Sequence, residues 1–189
     1  MIVVVNQGDE TVGAFRLDAR TGGLLPATAA TQPTDANPYA IAADPNGRWF
    51  WVTHGDASDV VIFRRDLVSN VIERAAAAPV ATGEYAVGAS IDPSGRFLYV
   101  MTMVADAVAA FAIGDGGTLT PVEGSPFAAG GRPSGGAVDP RGRHFYATIA
   151  NNGSATISAY RIDARSGALS ELPGSPYAAG KGPFGIAVF

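Results

Sequence analysis

A histidine and an arginine in separate loops are the residues of this sequence best suited to chemistry. His54 ends a predicted strand close to Asp56 and Asp59. It could act as a general base on a water molecule, because an imidazole titrates near neutral pH. Arg132 could stabilise a developing oxyanion or bind a phosphate group. We predict catalytic roles for both; the alternative is that His54 is a loop histidine hydrogen-bonded to its own turn.

Three further polar side chains are candidates for ligand binding. Asn6 and Asn151 end predicted strands at the polar position that His54 occupies in the second unit of the chain. Lys181 is the single lysine and could share the role of Arg132 as a cation. We therefore predict that Asn6, Asn151 and Lys181 bind the substrate. The same loops also carry polar residues without an assigned role, among them Gln7, Asn37, Tyr85 and Ser134.

Acidic side chains are numerous on these loops. Carboxylate and amide oxygens are the ligands that hard divalent cations prefer, so an acidic surface here could hold such an ion. The alternative is that the loop acids are simply solvated. No ligand spacing recurs among them, so the sequence predicts no cofactor and no metal site. The acids are Asp9, Glu10, Asp35, Asp56, Asp59, Glu84 and Asp106.

Several familiar catalytic motifs are missing from the sequence. It has no Gly-x-Ser-x-Gly, no His-Glu-x-x-His and no Gly-x-Gly-x-x-Gly that opens a helix. It also has no cysteine, which excludes disulfides, thiolate metal sites and cysteine nucleophiles. Serine hydrolase, zinc protease and dinucleotide-binding mechanisms therefore have no support.

Composition predicts one folded domain with many turns. The 189 residues are 47% hydrophobic and 16% charged, with 24 glycines and 13 prolines. A net charge of −4 without a basic cluster argues against nucleic-acid binding. No apolar run reaches the length of a membrane span, and the first residues lack the basic region of a signal peptide. We predict no membrane partner and a cytoplasmic location.

An internal repeat predicts the architecture. The motif Asp-Pro-x-Gly-Arg occurs at residues 44–48, 92–96 and 139–143, and Gly-Ser-Pro-aromatic-Ala-Ala-Gly occurs at residues 124–130 and 174–180. Each unit reads as four short strands joined by tight turns, in which Asp accepts backbone hydrogen bonds and Gly takes positive φ. Four antiparallel strands in each unit of 40 to 50 residues are typical of a β-propeller.

The phase of the repeat predicts how the ring closes. The units cover about residues 1–38, 39–86, 87–134 and 135–183 of a single domain, and residues 184–189 form a last strand. The chain then begins at the second strand of a unit and ends on a first strand. We therefore predict an all-β propeller of about four blades, in which N- and C-terminal strands complete one blade.

The sequence resembles the lactonase-type seven-bladed β-propellers, the group that includes bacterial 6-phosphogluconolactonase. The resemblance rests on residues 89–100, 159–169 and 174–177, and it extends over nearly the whole chain. It implies hydrolysis of a sugar lactone by attack of water on its carbonyl, with a small-molecule ligand in the channel mouth. The alternative is a non-catalytic propeller that binds a protein or small ligand, or a partial propeller without activity of its own.

The number of units departs from the seven blades of that group. Three explanations stay open: a closed four-bladed ring, two chains that share an eight-bladed ring, and a fragment whose other blades lie elsewhere. The expected state is therefore a monomer or a self-associated dimer.

Overall fold

Strands make up most of the computed structural model, which describes residues 1–150 and 155–189, with the backbone alone for residues 28–30. None of these residues belongs to a helix long and apolar enough to span a membrane. Within the described ranges, one 3₁₀ turn covers Asp115–Gly117. The strands are β1 (Ile2–Asn6), β2 (Thr11–Leu17), β3 (Leu24–Pro33), β4 (Pro38–Ala43), β5 (Trp49–His54), β6 (Asp59–Arg65), β7 (Ile72–Arg74), β8 (Val80–Ala81), β9 (Ala86–Ile91), β10 (Phe97–Thr102), β11 (Ala107–Ile113), β12 (Leu119–Pro121), β13 (Phe127–Ala128), β14 (Pro133–Val138), β15 (His144–Ala150), β16 (Ala155–Ile162), β17 (Leu169–Glu171) and β18 (Tyr177–Ala178).

The strands form four antiparallel sheets. The first sheet has the order β1-β2-β3, and the others have the orders β4-β5-β6-β7, β9-β10-β11-β12 and β14-β15-β16-β17. In these three sheets the outermost strand is interrupted, so that β8, β13 and β18 pair with the same neighbour as β7, β12 and β17. Each sheet is one propeller blade, and the predicted propeller fold is confirmed.

Hydrogen bonds to aspartate side chains stabilise the hairpin turns that follow the inner strands β4, β9 and β14. The carboxylates of Asp44, Asp92 and Asp139 accept hydrogen bonds from the backbone N–H four residues later, at 2.6, 2.7 and 2.6 Å. Gly47 and Gly95 have φ of 63° and 73°, a conformation that glycine adopts without a steric penalty. The repeated motif therefore forms the turns that the sequence predicts.

Apolar and aromatic side chains fill the spaces between neighbouring blades. Trp51 is fully buried between the second and third blades, and its indole N–H donates to the Gly117 carbonyl at 3.0 Å. Tyr99 and Phe145 stack between the third and fourth blades with ring centroids 5.1 Å apart. These contacts join consecutive blades through buried apolar surface.

The blades form an arc rather than the predicted four-bladed ring. The innermost segments touch in the series β1, β4, β9, β14, and no comparable contact among the described residues joins the first blade to the fourth. Residues 184–189 form no strand, so the predicted closing strand is not formed.

The C-terminal segment lies against the fourth blade instead of β1. The Ser134 and Thr148 hydroxyls donate to the carbonyls of Pro183 and Phe184 at 3.0 and 3.1 Å. A side chain on Gly135 would lie 2.2 Å from the Phe184 carbonyl oxygen, so this approach requires glycine. The segment therefore continues the arc from β14.

Candidate functional site

A cleft of about 500 Å³ occupies the concave side of the arc. It is lined by the innermost segments of all four blades and by residues 184–186, and none of these lining residues is charged. Its polar groups include the side chains of Gln7, Tyr39 and Ser134 together with exposed backbone. The interior therefore fits an uncharged ligand that can hydrogen-bond.

Glycines keep the inner strands close together around the cleft. A Cβ on Gly88 would lie 2.6 Å from Met101 Cε and 2.9 Å from the Ser134 carbonyl oxygen. A Cβ on Gly136 would lie 2.6 Å from the Phe145 ring. A side chain at either position would force neighbouring strands apart, so the small residues set the width of the cleft.

Three residues at equivalent places in the repeat have a backbone conformation that non-glycine residues rarely adopt. Asn37, Tyr85 and Arg132 directly precede β4, β9 and β14 and have φ of 56°, 62° and 58°. We call them the mouth residues. Positive φ at a residue as bulky as tyrosine is uncommon and is maintained only when surrounding contacts determine it.

Hydrogen bonds from neighbouring loops hold the mouth residues in this conformation. The Tyr85 N–H donates to Ser58 Oγ at 3.1 Å, and the Arg132 N–H donates to Asp106 Oδ1 at 2.7 Å. The Tyr85 carbonyl accepts a bond from the Met103 N–H at 2.9 Å. The backbone at these positions is therefore fixed by other residues and does not depend on the side chains of the mouth residues themselves.

A polar network connects the first two mouth residues to the cleft. The Gln7 amide donates to Asn37 Oδ1 at 2.5 Å, and Asn37 Nδ2 donates to Asp56 Oδ1 at 3.0 Å and weakly to the Tyr85 hydroxyl at 3.5 Å. The rings of Tyr39 and Tyr85 meet edge to face, with centroids 6.1 Å apart. Donors, acceptors and aromatic surface thus meet at one entrance.

His54 does not line the cleft. It is fully buried; its Nε2 lies 2.8 Å from Thr34 Oγ1 and its Nδ1 lies 3.0 Å from Asp59 Oδ1. Burial lowers the pKa of His54 and raises the pKa of Asp59, because removal from water disfavours the charged form of each. Both ring nitrogens therefore face protein groups, and the imidazole has no open path to a ligand in the cleft.

The other residues with predicted roles are spread over the structure. The backbone of Arg132 is a mouth position, and its Nη2 lies 3.2 Å from Met103 Sδ. Asn6 donates to Thr11 Oγ1 at 3.0 Å within its own hairpin, and Lys181 is exposed. Asn151 lies outside the described residues. The structure therefore does not bring Arg132 and His54 together.

The strand register also changes which residue is equivalent to His54. Pro38 pairs with His54 in the second blade, and Pro133 pairs with Ile149 in the fourth. Ile149, not Asn151, therefore occupies the position that the sequence comparison gave to Asn151. The repeat spacing agrees, because His54 follows Asp44 and Ile149 follows Asp139 by the same 10 residues.

Asn37, Tyr85 and Asp56 received no role from the sequence. The spacing of the three mouth residues, 48 and 47 positions, follows the repeat and was available as a signal. The hydrogen bonds that fix the backbone of the mouth residues come from other loops, so no local sequence pattern indicates them. Among residues 1–150 and 155–189, no group of three or more His, Cys, Asp or Glu side chains is arranged to hold a metal ion.

Antiparallel blades arranged around a cleft define the class of the protein as a β-propeller. The family model for lactonases with a seven-bladed β-propeller matches residues 1–182. The chain therefore belongs to the lactonase family of seven-bladed β-propellers. A comparison with curated protein sequences gave no match.

Solved structures of similar fold agree with this family. A "putative 6-phosphogluconolactonase" from Bacteroides uniformis superposes with a TM-score of 0.82 at 18% identity, over 96% of this chain and 55% of that one. A protein of the same description from Bacteroides fragilis gives 0.82 at 17% identity, over 97% and 52%. A periplasmic gluconolactonase from Pseudomonas aeruginosa gives 0.75 at 22% identity, over 93% and 52%. At these identities the likeness shows the fold alone, and the chain spans about half the length of these proteins.

Proposed function

We propose that this propeller binds and hydrolyses a sugar lactone at the mouth of the cleft. The observation that carries the proposal is the row of mouth residues, which sets hydrogen-bonding and cationic side chains beside an uncharged cleft. A sugar lactone is a neutral ring with many hydrogen-bonding oxygens, so it matches both surfaces. The family name and the related structures support the same substrate class.

The mouth supplies groups for each part of the reaction. Asp56 is the carboxylate of the network and serves as the general base for a water molecule. The water oxygen bonds to the lactone carbonyl carbon, and Arg132 stabilises the resulting oxyanion. The ring carbon–oxygen bond then breaks, the leaving oxygen takes the proton, and a hydroxy acid forms. Asn37 and Tyr85 hold the sugar hydroxyls.

Lactone hydrolysis above the spontaneous rate tests this proposal. With gluconolactone and 6-phosphogluconolactone as probes, we expect Arg132→Ala and Asp56→Asn to lower kcat/KM by about 10² or more, as is typical for loss of an oxyanion partner or base. Arg141→Ala is the matched control, because Arg141 is an exposed arginine in the turn after β14, away from the mouth. Unchanged turnover in both Arg132→Ala and Asp56→Asn would contradict the assignment.

Binding without hydrolysis is a second candidate function. It is favoured by the absence of charge among the residues that line the cleft itself. Titration calorimetry with gluconic acid, the hydrolysis product, separates the two functions. Binding that Arg132→Ala weakens, in a protein that does not accelerate lactone hydrolysis, would identify a binding module.

A further inference from the structure

The loop between β5 and β6 contacts the first two mouth residues. Its Asp56 accepts the hydrogen bond from Asn37 Nδ2. Its Ser58 Oγ accepts the hydrogen bond from the Tyr85 N–H. Gly55 lies between the two mouth side chains, since a Cβ on it would be 3.0 Å from Asn37 Nδ2 and 3.2 Å from Tyr85 Cζ. A shift of this loop would therefore disturb the polar network at the mouth.

A second loop reaches the same network from the first blade. Gln7, in the loop between β1 and β2, donates to Asn37 Oδ1 at 2.5 Å. Asn37 is thus held between loops of neighbouring blades, with Gln7 on its amide oxygen and Asp56 on its amide nitrogen. The separation of the two loops therefore decides whether Asn37 can make both hydrogen bonds.

Thr34 and His54 connect these two loops. The Thr34 N–H donates to the Glu10 carbonyl in the β1–β2 loop at 2.9 Å, and Thr34 Oγ1 lies 2.8 Å from His54 Nε2. His54 directly precedes the β5–β6 loop, and it pairs in the sheet with Asp59, which directly follows that loop. A continuous series of polar contacts therefore runs from one loop to both ends of the other.

Burial makes the contact between His54 and Asp59 difficult to replace. His54 is fully buried, and its Nδ1 lies 3.0 Å from Asp59 Oδ1. Both atoms are enclosed, and neither has another hydrogen-bond partner among the described residues. A buried polar atom that loses its partner costs free energy. Removal of one side chain would therefore favour an opened loop in which water reaches the other.

Polar contacts also close the equivalent hairpins of the first and third blades. Asn6 Nδ2 donates to Thr11 Oγ1 at 3.0 Å, in the same register and around a loop of the same length as in the second blade. Thr102 Oγ1 donates to the Ala107 carbonyl at 2.9 Å in the third blade. The chain therefore offers, in Asn6 and Thr11, a closing pair that works without an imidazole.

We propose that the His54–Asp59 pair positions the mouth for its ligand. Held at both ends by this pair, the β5–β6 loop keeps Asp56 against Asn37 and fixes the backbone of Tyr85. His54 is then a positioning residue, which acts through the loop and does not touch the ligand. The identity of the ligand rests on the proposed function, whereas the positioning exists in the free protein and can be measured there.

Amide exchange measured by nuclear magnetic resonance tests the positioning without a ligand. His54→Ala should speed exchange of the Gly55 and Tyr85 amides by about tenfold or more relative to the amides of β10, because both hydrogen bonds depend on the loop. Ile72→Ala is the matched control, since Ile72 is a core residue at the opposite end of the same blade, and it should leave this ratio unchanged. An unchanged ratio in His54→Ala would overturn the proposal.

Replacement of the whole pair provides a second test that leaves no buried carboxylate unpaired. His54→Ala with Asp59→Ala removes both partners, and His54→Asn with Asp59→Thr copies the pair of the first blade. Exchange of the Gly55 and Tyr85 amides should be about fivefold or more slower in the Asn/Thr variant than in the double-alanine variant. Equal exchange in the two variants would show that the closing contact does not hold the loop.

Hydrolysis of gluconolactone separates this proposal from the proposed function. The double-alanine variant should lower kcat/KM by about tenfold or more, because misplaced groups lose catalytic efficiency, while Ile72→Ala should not. Unaltered hydrolysis in the double-alanine variant would overturn the positioning of the site. Faster exchange in His54→Ala, in a protein whose unmodified form hydrolyses no lactone, would instead overturn the proposed function and support the positioning.

Discussion

Burial decides the chemistry available to His54. In the sequence it stands beside two acids, which suggests a general base, yet in the structure its imidazole is enclosed by Thr34 and Asp59. Burial lowers its pKa and so favours the neutral ring. Its Nδ1 faces the Asp59 carboxylate, and its Nε2 faces the Thr34 hydroxyl. His54 thereby ties the loop before β4 to the hairpin of the second blade.

Replacement of His54 should destabilise the fold. His54→Ala would leave a cavity and a buried carboxylate without its partner, and we expect a loss of about 2–4 kcal/mol in the free energy of unfolding. Urea denaturation measures this loss. His144→Ala is the matched control, because His144 is partly exposed and should cost about 1 kcal/mol or less. Equal losses in the two variants would contradict the bridging role.

At the scale of the elements, aspartates in the outer hairpin turns make the stability of these hairpins depend on pH. In the outer hairpin of the fourth blade, backbone N–H groups of Ser166 and Arg165 donate to Asp163. These bonds, that of Ser166 first, hold the pKa of Asp163 below its usual 3.8. Asp66 has the same arrangement with Ser69 in the second blade, and its pKa is lowered likewise.

Stability should therefore fall in acid. Since the folded pKa of these aspartates is below the unfolded value, their stabilisation is present above about pH 4 and is lost as the pH falls through the lower folded pKa. Melting temperatures between pH 6 and pH 2.5 measure the decline. Asp163→Asn should flatten it, whereas Asp115→Asn, in an exposed 3₁₀ turn, should not. An identical decline in Asp163→Asn would exclude this cause.

The same local chemistry explains which features the sequence could predict. Asp-Pro-x-Gly-Arg forms its turn from its own residues, so the repeat, the strands and the propeller follow from the sequence. Tyr85 and Arg132 take positive φ because of Ser58 and Asp106, more than 20 residues away, which no local pattern reveals. The course of residues 184–189 depends on contacts with the fourth blade, so the predicted closing strand was not formed.

At the scale of the whole molecule, blades that touch only their neighbours should differ in local stability. The middle blades are packed on both sides, and β10 is buried along its whole length. Among the described residues the first blade is packed against a neighbour on one side, and β1 is partly exposed throughout. Nearest-neighbour packing of this kind makes the end unit the first to open.

Hydrogen exchange can measure this difference. We expect amides of β1 and β2 to exchange at least tenfold faster than amides of β10 and β11. Uniform protection from β1 to β11 would contradict this description of the arc.

The conformation of the mouth residues has an evolutionary consequence. Each of these backbone positions is fixed by hydrogen bonds that do not involve its own side chain, so the side chain can change while the loop keeps its shape. Ligand preference can then evolve one repeat at a time, by substitutions that leave the blade intact. Positive φ disfavours side chains that branch at Cβ, and glycine is the residue at the fourth such position, Gly182, where φ is 64°.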